Sequence, residues 1–510
     1  MLSLLVWLPI LGAAVVGFWP AGAPAVWPRR IALSVASLGL VLAAVLAFVY
    51  NPADGGLQFR EFVPWMTSLG LSYELGIDGL SLPLLLLNAF LVWIAIFSSD
   101  ENVQRPRLYY GLLLLLCGGV VGAFATQNAL LFFLFYELEL IPLYLLIAIW
   151  GGPRRNYAAT KFLLYTAISG IMVLVAFFGL AGLAGIANYS YEALAVHNLP
   201  LATQFLLLGA VLVAFGIKIP LVPFHTWLPD AHVEASTPVS LLLAGVLLKL
   251  GTYGLLRFGL GFFPEAWSAA APWLAGWAVV SVLYGCMTAI AQKDMKKMVA
   301  YSSIGHMGYI LLAAAAATPL SLLGAVAQMV SHGLISGLLF LLVGVVYKKT
   351  GTRDIDVLCG LLAPERGLPF IGSLMILAVM ASAGIPSMVG FVAEFIIFRA
   401  SYAVFPVQTL LCILGTGLTA VYLLILINRA FFGRLPAQFA NLPQVRWSER
   451  LPGLAIALLV VFLGLQPQWL VRWSEATTAA LVAGRPALAG ALPAQAERTH
   501  TVAVRRAHTP

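Results

Sequence analysis

The chain has 510 residues, 61% of them hydrophobic and only 9% charged, with 28 Lys and Arg against 20 Asp and Glu, and its mean hydropathy is +0.97. So little charge cannot coat a water-soluble globule of this size, which excludes a soluble enzyme and leaves lipid as the solvent. The basic residues are scattered rather than gathered in a stripe with aromatics, which argues against a nucleic-acid partner. Four distant cysteines without a CxxC argue against zinc or iron–sulfur ligation.

Apolar runs of about 20 residues, enough to cross a ~30 Å hydrocarbon core, recur along the chain. They cover 2–18, 31–50, 80–98, 108–126, 128–149, 161–186, 204–227, 237–259, 267–291, 298–316, 320–347, 369–400, 405–431 and 451–472. The expected fold is all-α and polytopic, with about fourteen transmembrane helices. The opening MLSLLVWLPILGAAVVGFW has no basic leader and reads as the first span, not a cleaved signal.

The connections orient this bundle. The odd-numbered ones carry Arg29 and Arg30, Arg105 and Arg107, Arg154 and Arg155, Lys293, Lys296 and Lys297, Lys348, Lys349, Arg353 and Arg366, then Arg434, Arg446 and Arg450. Beside the even-numbered ones stand little more than Arg60, Arg257 and Arg399. A cationic excess marks the cytoplasmic side, so both termini are expected on the lumenal or periplasmic side.

Two long runs are fractured. GIKIP at 216–220 and GIP at 384–386 lie five spans apart, so helices 7 and 12 are expected to be discontinuous and to run in opposite directions. That suggests two inverted five-helix repeats, a transporter pattern in which freed backbone lines a cavity or packs in protein. The chain then divides into 1–107 (helices 1–3), 108–260 (helices 4–8), 261–431 (helices 9–13) and 432–510 (helix 14 and tail).

Charges inside the spans cost about 2.5–3.5 kcal/mol each on insertion scales, so their presence asks for a reason. Glu137 and Glu139 lie in FFLFYELELIP, Lys218 at the first fracture, Lys249 in LLLAGVLLKLG, His306 and His332 on successive spans, and Glu394 after the second fracture. Glu137 is the expected partner of Lys218. Glu139, about 200° round the helix from Glu137, is expected to face elsewhere, toward a neighbouring subunit. HTWLPDAHVEAS supplies His225, Asp230, His232 and Glu234 on a loop, but its histidines are seven residues apart and HExxH is absent, so hydrogen bonds ordering the loop fit better than a metal. GLAGLAG and GTG sit within spans and read as helix packing, not dinucleotide sites.

FYELELIPLYLLIAIWGG, GIKIPLVPFHTWLPDAHVEASTPVSLLLAGVLLKLGTYGLLRF, KDMKKMVAYSSIGHMGY, MVSHGLISGLLFLLVGVVY and GIPSMVGFVAEF follow one another between residues 75 and 435. In this order they resemble the antiporter-like, chain 4 type subunits of NADH:quinone oxidoreductase, that is, of respiratory complex I and its photosynthetic relatives. The resemblance implies fourteen helices with two inverted repeats. It implies a proton path through Glu137, Lys218, Lys249, His306, His332 and Glu394, with Glu139 and His225 as accessories. Glutamate at 394, and no long lateral helix expected after the fourteenth span, separate the chain from the chain 5 type. ELELIP resembles cyanobacterial and chloroplast versions, and MASAGIPSMVGF leans toward the cyanobacterial variant serving carbon dioxide uptake.

Further expectations follow from that resemblance. Separating Glu137 from Lys218 would free the lysine's proton to Lys249, then through His306 and His332 to Glu394. No cofactor is expected in this chain; quinone and iron–sulfur clusters belong to partner subunits. The expected partners are the lipid bilayer, chain 5 type and chain 2 type membrane subunits, and a carbon dioxide uptake subunit in the variant. The expected location is a cyanobacterial thylakoid or bacterial inner membrane. Two other classes stay open: a multisubunit sodium/proton antiporter with the same arrangement, and a structural scaffold whose buried charges tolerate neutral replacement.

Overall fold

The computed structural model describes residues 1–20, 24, 26–100, 102–364 and 367–483. Arg366 and the tail beyond residue 483 lie outside the described residues. The chain opens with α1 (Leu2–Gly17) and α2 (Val26–Val49), then a hairpin of β1 (Gln58–Met66) and β2 (Leu71–Ile77). Helices α3 (Leu82–Ser98), α4 (Pro106–Ala125), α5 (Ala129–Leu138), α6 (Leu140–Trp150), α7 (Arg155–Ala184), α8 (Tyr191–Ala195), α9 (Leu201–Lys218), α10 (Trp227–Glu234), α11 (Thr237–Leu242) and α12 (Leu248–Gly254) follow. The second half holds α13 (Pro264–Ile290), α14 (Met295–Ala316), α15 (Pro319–Thr350), α16 (Pro369–Ser382), α17 (Val389–Tyr402), α18 (Pro406–Ala430), α19 (Trp447–Leu465), α20 (Gln468–Val471) and α21 (Glu475–Ala483).

Eleven helical segments among the described residues are long and apolar enough to cross a membrane. Shorter apolar helices, Leu2–Gly17, Leu82–Ser98 and Pro369–Ser382, stand where the first, third and twelfth spans are expected. Both fractures are real breaks. Helix α9 stops at Lys218 and the chain turns before α10; α16 stops at Ser382 and α17 resumes at Val389. A π-helical turn lies on each side of α12, at Leu243–Leu247 and Leu255–Leu260.

Among the described residues this hairpin forms the one sheet in an otherwise mainly helical chain, with Phe62 opposite Glu74 and Val63 opposite Tyr73. Its Glu61 carboxylate accepts hydrogen bonds from the backbone N–H groups of Leu2 and Ser3, at 2.8 and 3.0 Å. Those donors at the start of α1 have no helical acceptor, and a carboxylate also suits the positive end of the helix. The other end of the bundle gathers the basic connections. There Lys293 meets Asp356 at 2.7 Å, Lys349 meets Glu449 at 2.8 Å and Arg353 meets Asp294 at 3.2 Å.

Burial is graded across the bundle. Of the eleven segments, α2 buries the smallest share of its apolar window, 28%, whereas Thr237–Leu260 buries 100% and α14 and α15 bury 94% each. The three most enclosed segments are also those bearing Lys249, His306 and His332. Polar groups stand where lipid cannot reach them, as the cost of exposing a charge to hydrocarbon demands.

Candidate functional site

The site starts at the first break. Pro220 has no backbone N–H, and the Leu221 N–H turns back to the Gly216 carbonyl at 2.8 Å. The Ile217 carbonyl is instead met by the Trp227 indole N–H at 2.8 Å, and the Val222 N–H by the Ser281 hydroxyl at 3.3 Å. Side chains thus replace the helical hydrogen bonds that the prolines remove, which buried backbone requires. HTWLPDAHVEAS, expected as a loop, is largely the buried helix α10. Its apolar Trp227, Leu228 and Ala231 pack inward, and helical burial outweighs its polar letters.

Lys218 ends α9 at this break, 1% exposed, and its ammonium is held by Glu139, which is 0% exposed. This corrects two expectations: the partner is Glu139, not Glu137, and Glu139 faces the interior of its own chain. The helix is interrupted between Leu138 and Leu140, where Glu139 sits at the junction of α5 and α6. Glu137 points to the other side, its carboxylate over Gly170 of α7 and half-buried. Glu139 rather than Glu137 is the inner carboxylate of the two. The Lys218 ammonium also lies over the Tyr136 ring at 4.5 Å, and the Tyr136 hydroxyl is 2.7 Å from Ser169.

The helix that bears the second lysine packs against this break. A Cβ on Gly251 would stand 3.1 Å from Lys218 Cβ and 3.0 Å from the Ile219 nitrogen, so only glycine lets α12 approach the break this tightly. Lys249 lies two residues earlier on α12. Its ammonium donates to the Ala244 carbonyl in the first π-helical turn at 2.6 Å and lies 2.7 Å from His332 Nδ1.

From His332 the line continues along α15 and α14. The His332 and His306 rings are 5.6 Å apart. His306 Nδ1 lies 3.4 Å from Glu394 and Nε2 lies 3.2 Å from the Ser382 hydroxyl. Glu394 also accepts from Thr416 at 3.0 Å. Ser302, His306, Gln328, His332, Ser382 and Glu394 line a small cavity with room for about one water molecule. The order expected from sequence, His306 before His332, is therefore reversed, because α15 rather than α14 packs against the π-helical turn beside Lys249.

The second break borders that cavity. Gly384 adopts φ +72° and Ser387 φ 75°, and a Cβ on Gly384 would stand 3.2 Å from the Glu394 carboxylate. His225, the other accessory, stands apart from this line. It is 4.9 Å edge-to-face from Tyr284, near the part-buried pair of Lys161 and Asp230 at 2.7 Å. Among the described residues no group of three or more His, Cys, Asp or Glu lies together in a way that could hold a metal. Gln328, Ser382 and Thr416 were missed by sequence reasoning, since neutral polar residues in apolar runs carry no signal until their neighbours are known.

Comparison with known proteins gives this geometry a setting. Residues 126–419 match the family described as "NADH:quinone oxidoreductase/Mrp antiporter, TM". The chain is 41% identical over 479 residues to NAD(P)H-quinone oxidoreductase chain 4 2 of Thermosynechococcus vestitus, covering 92% of this chain and 89% of that one. It is 42% identical to a chain 4 protein of a Synechococcus species, covering 94% and 93%. Among solved structures, a chain of respiratory complex I from Thermus thermophilus superposes with a TM-score of 0.86 at 29% identity, covering 95% of this chain and 99% of that one. A chain of the Mrp complex from Dietzia shares the fold, with a TM-score of 0.84 at 22% identity over 94% and 97% of the two chains. A family match over more than half the chain, and relatives above 40% identity along nearly all of it, lead to one conclusion: this chain belongs to the antiporter-like transmembrane family shared by NADH:quinone oxidoreductases and Mrp antiporters.

Proposed function

We propose that this chain is a proton-translocating membrane subunit of a complex I type NAD(P)H- or ferredoxin-driven quinone oxidoreductase. Electron transfer to plastoquinone in partner subunits would drive protons through its buried side chains. One observation carries the reading: enclosed titratable groups stand in two runs, Glu139 with Lys218 and Lys249 through His332 and His306 to Glu394, and Gly251 brings the helix bearing Lys249 against the first run. The high identity to chain 4 relatives favours this reading over a sodium/proton antiporter, for which the Mrp likeness is one of fold.

In this reading Lys218 and Glu139 hold a charge pair at the first break. Opening it releases a proton toward Lys249, and a cationic Lys249 hands it to His332, whose partner His306 delivers it to Glu394. Glu137, on the outer side of the fifth span, tunes the pair from a distance or meets a neighbouring subunit. Two inverted repeats, 108–260 and 261–431, carry the two breaks. Quinone and iron–sulfur chemistry belongs to partner subunits, with chain 5 type and chain 2 type subunits as neighbours and, in the carbon dioxide uptake variant, a further subunit at the distal end. The membrane is a thylakoid or bacterial inner membrane, with the basic end cytoplasmic and the hairpin end lumenal or periplasmic.

The test uses the whole complex in sealed vesicles. Lys249→Met should lower the protons moved per electron while the complex still assembles; an unchanged ratio would remove this line from the pump. For sidedness, a cysteine at Arg353 should react with an impermeant reagent from the cytoplasm and one at Val196, which is exposed, from the opposite side. The reverse labelling overturns the orientation. The tail position His500, a natural site for the same test, lies outside the described residues.

A further inference from the structure

GTG at 415–417 does more than let helices pack. A Cβ on Gly415 would run into Val282 of α13 and stand 3.0 Å from the Tyr309 hydroxyl of α14, whereas a Cβ on Gly417 would meet nothing. The glycine before Thr416 is therefore the one that admits close approach. It brings α18 near enough for the Tyr309 and Thr416 hydroxyls to stand 3.2 Å apart. Thr416 in turn reaches Glu394 Oε2 of α17 at 3.0 Å. Three helices, α14, α17 and α18, thus meet through two hydroxyls and one carboxylate.

Counting hydrogens gives this chain of hydroxyls a direction. Each hydroxyl has one hydrogen to donate, and an ionised carboxylate only accepts. Thr416 therefore spends its hydrogen on Glu394, and Tyr309 must donate to Thr416. Tyr309 is fully buried, its ring edge-to-face with Phe398 at 5.3 Å and with His306 at 5.7 Å. Among the described residues its hydroxyl has Thr416 as its one hydrogen-bond partner. The two oxygens of Glu394 accordingly differ. Oε2 is occupied by Thr416, and a Cβ on Gly384 would stand 3.2 Å from it. Oε1 lies 3.4 Å from His306 Nδ1, whose ring shares the lining of the small cavity. A proton on Oε2 would turn that oxygen into a donor and force Thr416 to donate to Tyr309 instead. The Tyr309 hydrogen would then be left without an acceptor, which a buried hydroxyl resists.

We propose that Tyr309 and Thr416 are positioning residues for Glu394, a one-way hydrogen-bond chain that reserves Oε2 and confines the transferred proton to Oε1, facing His306. On loading, the proton leaves the imidazole and an O–H bond forms at Oε1. On release that bond breaks, and the carboxylate returns to the form the two hydroxyls hold. No other bond is made or broken. This inference rests on the proposed proton-translocating function and adds to it the atom at which Glu394 is loaded.

The experiment measures proton flux of the intact complex in sealed vesicles and infrared difference spectra of the same complex. The Glu394 carboxyl band is the one that disappears in Glu394→Gln. Thr416→Val keeps the side chain's shape and removes its hydroxyl. Flux should fall about ten-fold, as misplacing a reacting group does, and the carboxyl band should move to higher frequency because its carbonyl oxygen has lost a donor. Thr416→Ser restores the hydroxyl and should bring the band back, with flux within about two-fold of the parent, a small effect by the same measure. Tyr309→Phe keeps the ring and the Thr416 bond, so its band should shift less than that of Thr416→Val. Parental flux or an unshifted band in Thr416→Val overturns the proposal, and so does a Thr416→Ser variant as impaired as Thr416→Val, which marks a merely structural role. If Thr416→Val fails to assemble, the Tyr309→Phe band decides, and no shift there sinks the chain of hydroxyls. Lys249→Met in the same series separates the two ideas. Should it pump normally, the function itself fails; should it stop pumping while Thr416→Val pumps normally, only the positioning role falls.

Discussion

The two breaks in the bundle solve one problem in different ways. At the first, charge closes the gap: Lys218 and Glu139 are shut away together, and tryptophan and serine side chains take up the freed backbone groups. At the second, a small space is left: Glu394 reaches Thr416 and His306 at the edge of a cavity with room for about one water molecule. A buried ion pair is costly to disturb from one side only, whereas a carboxylate beside a polar cavity can trade its partners for water. The first break holds a paired charge; under the proposed function, the second is the one suited to passing a proton.

Neutralising one member of the first pair should therefore be the most damaging change. Glu139→Gln leaves the Lys218 ammonium enclosed without a counter-charge and should cost about 3–5 kcal/mol, read as loss of assembled complex on heating. The double variant Glu139→Gln with Lys218→Met should recover assembly without recovering pumping. Glu137→Gln should do much less to assembly, since Lys218 is already paired; equal damage from both glutamate variants would undo the pairing described here. Next comes Trp227→Phe, which strips the Ile217 carbonyl of its donor and should cost about 1–3 kcal/mol, measured by the same melting assay.

The second break should show the opposite balance. Glu394→Gln should leave the melting point nearly unchanged, a loss of about 1 kcal/mol or less, while proton flux falls about ten-fold. A variant that melts early but pumps normally would erase the contrast between the breaks. The smallest effect belongs to neither break. At the basic end, the hydrogen bond from Lys293 holds the Asp356 carboxyl below its ordinary value of 3.8, and Arg429 adds to it. A depressed carboxyl stabilises the fold above its ordinary value and loses that contribution as pH falls through the folded one. Asp356→Asn should accordingly be silent in acid and only slightly destabilising at neutral pH, as a titration of melting point against pH would reveal.

Much of this was readable from the residues because lipid is an unforgiving solvent. Charges in apolar runs announced Lys218, Lys249, His306, His332 and Glu394, and prolines announced both breaks. The hairpin was hidden because QFREFVPWM has no clean alternation and lies between long apolar helices that dominate any hydropathy reading. The partner of Lys218 was misjudged for a finer reason. Spacing on a regular helix sets Glu137 and Glu139 apart, but says nothing about which of the two faces inward, and the helix is interrupted at Glu139 itself. That depends on how the fifth span is rotated against α7 and α9, a matter of tertiary packing. The order of the two histidines failed likewise: sequence adjacency of α14 and α15 does not tell which one touches Lys249.

The basic rim has a history as well as a structure. Lys293, Lys348, Lys349, Arg353 and Arg429 all meet carboxylates of Asp100, Asp294, Asp356 or Glu449 in the finished fold. Those acids come from connections far apart in the chain, so the neutralisation exists only after the helices have assembled. A newly synthesised connection would meet the insertion machinery with its cations unmasked. The imbalance that tells each hairpin of helices which way to point is thus a transient signal, spent by the time the protein is folded, and what remains of it is a belt clasping the loops together.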